Sequence, residues 1–417
     1  MSSISYTNTP DQHRLAVAPS NDPFERGAQL GKQLHLLARE LHMLLHDVWF
    51  GHLAKEWAHI ADSSLPLLQQ HAPISTGELL GYASVLDETG TSDDGMRILL
   101  LLGSERELGM LNAQQAAGFR SPPLGGGGGV SVDDDPSASS PKDCSGIVWS
   151  NGQRSLLGHA TDLTPEFYLS GKATRVCRLA GGVHEGVTYP SCLTINFAGV
   201  GCIGGTNACG LTISRFTVDT GERSLDAGVP IYWLVREALT RPTLQGAVNY
   251  LRECPRTLPY AFHLAQGGCV VGVECSPSRF TVVDGGGDEY SGVRANHCQL
   301  DLEMIRTEIG AHHLAALGGQ DDKSSAARQA SLADALAKMT GEGKEGEGEG
   351  DKVPSIAGFQ NALLTSPVTN ETTMFCFVAS SRGVEEEEAE EEEEALQPHR
   401  LHVQFFGDGP EFHAYDV

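Results

Sequence analysis

Cys144 stands where a run of small, polar and acidic residues stops and a strand-forming sequence begins. A cysteine so placed has a particular chemistry open to it. If the peptide bond before it is cut, its own α-amine is released beside its thiol. An α-amine has an ordinary pKa of about 8, so near neutral pH it can accept the thiol proton, and one residue then serves as nucleophile and base with no histidine required. The thiolate would attack an acyl carbonyl, and the oxyanion that forms needs aimed N–H donors, each worth about 3 to 4 kcal/mol. Asn207 and Asn296 both stand at strand ends from which they are candidates for that task. Asp162 is a candidate to orient and charge-balance the α-ammonium. The competing reading is that Cys144 is one of ten ordinary cysteines.

The elements that must position these groups start with residues 143–162, DCSGIVWSNGQRSLLGHATD. The apolar runs Ile147-Val148-Trp149 and Leu156-Leu157 flank Asn151-Gly152, which predicts a β-hairpin. A hairpin returns its far end to its near end, so His159 and Asp162 are expected beside Cys144. Downstream, residues 174–179, 187–189 and 192–197 read as strands, and 199–213 as two strands about a turn containing Asn207. Residues 230–239 and 243–252 have helical spacing, 260–264, 268–274 and 280–283 form a meander, and 299–340 is helical and charged. The end of the chain reads as a hairpin of 372–379 with 401–406.

Upstream, Asp22-Pro23-Phe24-Glu25 has the pattern of a helix start, and Leu30, Leu34, Leu37, Leu41, Leu44 and Leu45 follow at helical spacing. Residues 73–86 give another helix, with Ser75 or Thr76 as the expected cap. Five histidines, His35, His42, His46, His52 and His59, raise a metal-dependent hydrolase as an alternative; without HExxH or a matching carboxylate, ordinary, partly exposed helix histidines are the preferred reading and no metal is expected. The Gly125–Gly129 run lacks the GKS or GKT ending of a phosphate loop and reads as a flexible linker. Three parts result: a disordered 1–21, a helical 22–143 ending in that linker, and a catalytic 144–417 with acidic insertions at 341–351 and 385–394.

Composition narrows the function classes. A chain of 417 residues buries a sizeable core without staples, and its 10 Cys show no CxxC or zinc spacing, which fits a reducing compartment. The net charge of -25 argues against a nucleic-acid partner. Much of it is local, since 385–394 carries nine Glu, a solvated run with no catalytic role. With no basic-then-apolar leader and no run of about 18 apolar residues, a cytoplasmic protein with no membrane partner is expected.

Four stretches taken in order resemble the C45 peptidase family of N-terminal-nucleophile enzymes, the acyl-coenzyme A:6-aminopenicillanic-acid acyltransferase family. They are Pro23-Phe-Glu-Arg-Gly-Ala-Gln-Leu-Gly31; Cys144-Ser-Gly with Gly158-His-Ala-Thr-Asp162; Gly205-Thr-Asn207-Ala-Cys-Gly-Leu211; and Gly272-Val-Glu274-Cys-Ser-Pro277 with Ala295-Asn296-His297. The resemblance implies an α+β fold, a four-layer αββα sandwich of the N-terminal-nucleophile hydrolase type. It implies self-cleavage between Asp143 and Cys144, Cys144 as nucleophile, Asp162 at the new α-amine and Asn296 as oxyanion donor. Asn207 is expected to shape its turn or border the substrate, and His297 to position Asn296 or pack. The reaction implied is hydrolysis or transfer of an acyl group from an amide or thioester. No cofactor is implied beyond acyl-coenzyme A as a co-substrate, and the cleaved N-terminal chain is the expected partner. Three departures stand out. Asp143 replaces a Gly before the nucleophile, and His159 replaces a Gln or Arg three residues before the Asp, placing an ionisable group at the pocket edge. The Ser-Arg pair of relatives is missing near Thr369-Asn370-Glu371. Asp143 and the acidic insertions keep a non-catalytic binding protein of this fold as a second alternative.

Overall fold

The computed structural model describes residues 14–45, 51–89, 95–104, 107–108, 144–162, 173–218, 222, 224–225, 227–284, 290–296, 321–341, 353–369, 373–382, 399–405 and 412–417. Asp143, His297, His46, the Gly-rich linker and the Glu run lie outside these residues, as does most of the Gly–Glu insertion.

Two stacked sheets form the centre. The first has eight strands: β1 (Leu15–Ala18), β4 (Thr174–Leu179), β7 (Cys192–Phe197), β8 (Val200–Asn207), β9 (Thr212–Thr217), β10 (Tyr260–Gln266), β11 (Cys269–Cys275) and β12 (Phe280–Asp284), in that spatial order. The second has six, ordered β13 (Tyr290–Arg294), β2 (Cys144–Ser150), β3 (Arg154–Asp162), β14 (Thr373–Arg382), β15 (His399–Phe405) and β16 (His413–Asp416). A separate small hairpin joins β5 (Gly182–His184) to β6 (Val187–Tyr189). On the outer face of the eight-stranded sheet lie α1 (Pro23–Met43), α2 (Ala54–His71), α3 (Pro73–Glu88), α4 (Gly95–Gly103), α5 (Ile231–Ala238) and α6 (Leu244–Glu253). The six-stranded sheet is covered by α7 (Asp321–Thr340) and α8 (Ile356–Leu364). The result is an αββα sandwich, as expected.

Strand alternation divides the core. Ile147, Trp149, Leu156, Ala160, Cys376 and Val378 turn toward α7 and α8 and pack on Leu332, Phe359 and Leu363. The intervening residues, among them Cys144, Val148, Leu157, His159, Phe375 and Phe377, turn toward the other sheet. Gly146 belongs to that inner set because a Cβ there would lie 2.3 Å from the Phe216 ring.

The helical layer is fitted closely. Asp22 caps α1 by accepting a 2.9 Å bond from the Glu25 amide, with Pro23 at the first position. The axes of α1 and α3 approach so closely that a Cβ at Gly27 would sit 1.9 Å from the Glu78 carbonyl, and one at Gly81 would sit 1.8 Å from the Phe24 carbonyl. Two expectations change here. Residues 15–18 are not disordered: Leu15–Ala18 is an edge strand, parallel to β4, because the exposed edge of β4 offers its backbone groups a ladder that a four-residue LAVA stretch could not supply alone. Ser75 and Thr76 do not cap α3, which starts after Ala72; the Ser75 amide and hydroxyl instead donate to Glu237 at 3.0 and 2.8 Å. No helix among the described residues is long and apolar enough to cross a membrane.

Candidate active site at the head of the Cys144 strand

The hairpin sets the site. Residues β2 and β3 contribute pair Cys144 with Thr161 and Gly146 with His159, so the ladder carries Asp162 just past Cys144. Opposed residues share a face, and neighbours alternate. The Cys144 side chain therefore points between the sheets, where it is fully buried against Phe216, Val218 and Ala261. Asp162 points the other way, toward α7.

Asn296 connects these two sides. It follows β13, whose register places Arg294 opposite Gly146 and so brings Asn296 level with Cys144. Its Oδ1 accepts from the Cys144 backbone N–H at 2.9 Å and from Arg328 Nη2 at 2.8 Å, while its Nδ2 donates to the Thr217 carbonyl at 3.0 Å. Arginine is donor-only and a carbonyl acceptor-only, so these two partners fix which end of the amide faces which neighbour. An amide nitrogen has two hydrogens, and Thr217 takes one of them. Ser325 Oγ accepts from the Asn296 amide N–H at 2.9 Å.

Asp162 is held equally firmly. Arg328 Nη1 donates to its Oδ2 at 3.1 Å and Thr373 Oγ1 to its Oδ1 at 2.5 Å. Asp162 and Arg328 are both buried, so this is a desolvated ion pair with hydrogen bonds from each partner. One guanidinium thus fixes the carboxylate on one side of β2 and the carboxamide at its end. Cys144, Asp162 and Asn296 are brought together as expected from the sequence; Arg328 and Thr373 were not anticipated. Arg328 had a signal. Ser325, Arg328, Leu332 and Leu336 are all buried and recur at helical spacing, so an arginine occupies a core position of an otherwise small and apolar stripe. Serine and arginine thus reach the site from α7 and not from the segment before β14.

Two further candidate residues have side chains committed to the core and to a turn, Asn207 in the turn-shaping role expected of it. His159 is not at a pocket edge. Its ring lies between the sheets, with centroids 5.1 Å from Phe216 and 5.3 Å from Phe377, and Nε2 is 2.9 Å from Thr161 Oγ1. Burial, assisted by Arg215, pushes its pKa down to about 3, so it is neutral and a poor base. The inner face of β3 is covered by the opposite sheet, which an isolated hairpin does not reveal. Asn207 spends its whole amide on backbone: Oδ1 accepts from Cys209 and Leu211 at 3.0 and 3.1 Å, and Nδ2 donates to Leu239 and Arg241 at 2.9 and 2.8 Å. It fastens the β8–β9 turn to the end of α5, the length of β9 away from Thr217, roughly 17 Å. A small cavity lined by Leu30, Glu78, Tyr82, Asn196 and Trp233 lies in the helical layer and includes none of the Cys144 constellation. Among the described residues no three His, Cys, Asp or Glu side chains converge as metal ligands.

The chain is similar to several known proteins. No curated protein matches the chain by sequence. Three solved structures are similar at low identity. A Caenorhabditis elegans N-acylethanolamine-hydrolyzing acid amidase ortholog is 16% identical, covering 56% of this chain and 92% of its own, with a TM-score of 0.38. Penicillin V acylase from Agrobacterium tumefaciens is 16% identical over 58% and 83%, with a TM-score of 0.35. A mutant conjugated bile acid hydrolase from Clostridium perfringens is 13% identical over 66% and 97%, with a TM-score of 0.37. Residues 149–349, close to half of the chain, match the family model described as Acyl-coenzyme A:6-aminopenicillanic acid acyl-transferase; the match begins just past Cys144 and spans Asp162, Asn207, Asn296 and Arg328. Over that segment the chain is similar to the acyl-coenzyme A:6-aminopenicillanic acid acyl-transferase family.

Proposed function

We propose that this chain is a self-processing cysteine amidohydrolase or acyltransferase that acts on an N-acyl amine or an acyl thioester through a Cys144 acyl-enzyme. The observation that carries the reading is the Cys144 backbone nitrogen, hydrogen-bonded at 2.9 Å to Asn296, which Arg328 ties to Asp162. An ordinary strand residue does not need its own nitrogen at the meeting point of a buried carboxylate, guanidinium and carboxamide. A residue whose nitrogen is to become a base does.

In the first reaction the Cys144 thiol attacks the Asp143 carbonyl carbon. The C–S bond forms, the C–N bond breaks, the nitrogen takes a proton, and water then hydrolyses the thioester to leave a carboxylate at Asp143. Both partners belong to one chain, and such proximity removes several kcal/mol of barrier. In the second reaction the freed α-amine takes the thiol proton, sulfur attacks the substrate carbonyl, and the leaving amine or thiol departs with that proton. Water or an acceptor amine then takes the acyl group. The second Nδ2 hydrogen of Asn296 is the oxyanion donor in both reactions, and the Asp162–Arg328 pair holds Asn296 and the amine in register. Acyl-coenzyme A fits as an acyl donor because a thioester carbonyl reacts by the same steps.

The description of the matching family model, an acyl-coenzyme A:6-aminopenicillanic acid acyl-transferase, motivates acyl transfer as the reaction class. The experiment is intact-mass spectrometry under denaturing conditions alongside a screen of N-acyl amines and acyl thioesters. The wild type is expected as two chains divided between Asp143 and Cys144, and Cys144→Ala as one chain without activity. Full activity from a single mass of all 417 residues would sink the mechanism.

A further inference from the structure

Glu274 of β11 and Arg294 of β13 form an ion pair that joins the two sheets through the core, with side chains at 4% and 0% exposure. Register explains how they meet. Arg294 opposes Gly146, so it shares the inner face of the six-stranded sheet with Cys144. Glu274 opposes Ala261, the residue that packs on Cys144 from the other sheet. The pair is thus immediately behind the nucleophile. His263, on the same inner face of β10 and next in that row, is buried and kept neutral, its pKa pushed down first by burial and then by Arg294.

Cohesion alone does not account for this arrangement. Desolvating two ions costs about what their attraction returns, and well-packed apolar residues of similar size commonly stabilise as well or better. Arg294 also has Nε and Nη2 without hydrogen-bond partners among the described residues, an added cost. What the pair supplies is a fixed distance. Among the described residues β13 lies at the edge of its sheet and forms a ladder only with β2, and that ladder fixes its register without fixing its depth toward the eight-stranded sheet. Yet Asn296, just beyond the end of β13, must span that gap, since its Oδ1 partner is in one sheet and its Nδ2 partner, the Thr217 carbonyl, is in the other.

We propose that the Glu274–Arg294 pair is a positioning device that holds the end of β13 at the depth where Asn296 keeps one amide hydrogen on Thr217 and presents the other to the carbonyl attacked by Cys144. This rests on the acyl-transfer reading given above. Neither residue touches the reacting atoms; both act through Asn296. A loss of positioning therefore lowers kcat and the rate of the Asp143–Cys144 cleavage and leaves KM in place, because the donor acts in the transition state.

The test compares wild type with Glu274→Gln and with the double variant Glu274→Leu/Arg294→Met, measuring the urea midpoint, the cleavage rate by intact mass, and kcat and KM of the processed protein. The double variant replaces the pair with apolar bulk, so its midpoint and KM are expected within about twofold of wild type while cleavage rate and kcat fall at least tenfold. Wild-type cleavage and kcat in a folded double variant would show a packing role and overturn the proposal. If the double variant does not fold, Glu274→Gln decides, since it keeps shape and one acceptor but removes the charge: an unchanged kcat overturns the proposal, and a tenfold loss at constant KM supports it. A wild type that stays whole, with turnover insensitive to Cys144→Ala, removes the acyl-transfer reading itself and this role with it.

Discussion

Replacing Asn296 separates catalysis from scaffolding, because its side chain makes three bonds of two kinds. Oδ1 accepts from Cys144 and Arg328, and Nδ2 donates to Thr217. Asn296→Ala removes all three and leaves a buried Arg328 N–H unmet, which costs about 1 to 3 kcal/mol of stability in addition to any catalytic loss. Asn296→Asp is the sharper probe. A carboxylate keeps both acceptor bonds, and the one to Arg328 becomes charge-assisted, but its second oxygen faces the Thr217 carbonyl, so the chain is expected to fold with about 1 to 3 kcal/mol less stability. It cannot donate to an oxyanion, and it places a negative charge beside the one that develops. Loss of one such donor costs about 3 to 4 kcal/mol, so kcat is expected to fall by about a hundredfold to a thousandfold with KM nearly unchanged. The assay is steady-state and burst-phase hydrolysis of a chromogenic N-acyl amide, with turnover divided by the cleaved fraction from intact mass. A kcat within tenfold of wild type for Asn296→Asp, or a KM that rises as kcat falls, would refute the donor assignment.

Three further outcomes follow from the same structure. His159→Phe should flatten the acid side of the stability profile: the folded pKa of about 3 lies below the ordinary 6.5, so the unfolded chain binds the extra proton, stability falls as pH drops below 6.5, and at pH 5 the neutral histidine costs about 2 kcal/mol that urea titrations at pH 7 and 5 would register. An unchanged pH dependence in the variant would mean that His159 is protonated in place. Glu78→Ala should lower stability by about 3 to 5 kcal/mol, because it leaves Arg26 and Arg236 buried without their shared carboxylate, and a shift under 1 kcal/mol in the urea midpoint would contradict that. Deleting 385–394 should leave activity within about twofold, since a run of nine Glu has no means of packing; a collapse of turnover would mean that the run reaches the site.

Local signals in the chain were enough for most of the ladder around Cys144. Asn151-Gly152 between two apolar runs predicts β2 and β3, and the observed turn follows it. Of the four strands that come next, β4, β6 and β7 have the bounds expected from alternation, and β5 (Gly182–His184) was not anticipated. What alternation cannot say is what covers each face. His159 reads as an accessible ionisable group until the second sheet is placed on it, whereas Asn207 takes the turn-shaping role expected of it and spends its amide there. Arg328 was lost for the opposite reason: in a charged helix one more arginine draws no attention, and only its place in a buried stripe marks it. The strand at 15–18 was missed because its stability is supplied by an edge distant in sequence.

The proposed cut also has to leave the molecule whole, and the described contacts account for that without a disulfide. The part before Asp143 is not a layer resting on the outside. Leu15–Ala18 adds a strand to the eight-stranded sheet, and Arg14 donates to the Thr174 carbonyl at 3.1 Å. Glu78 of α3 receives Arg236 Nε at 2.9 Å from beyond the cut and Arg26 Nε at 2.6 Å from its own side. Burial pushes the Glu78 pKa up, and the two guanidiniums outweigh it and hold the carboxyl below the ordinary range. Glu107 accepts from the Ile231 amide at 3.0 Å and from Thr257 at 2.7 Å, and Tyr82 donates to the Ala198 carbonyl at 2.9 Å. Separating the pieces would expose the apolar faces of α3 and α4 to water and break the hydrogen bonds that cross the cut. An interface of this kind behaves as core, so the proposed hydrolysis at 143–144 would change the connectivity of the chain and free one amine, while the sandwich that holds Asn296 against that nitrogen would stay assembled.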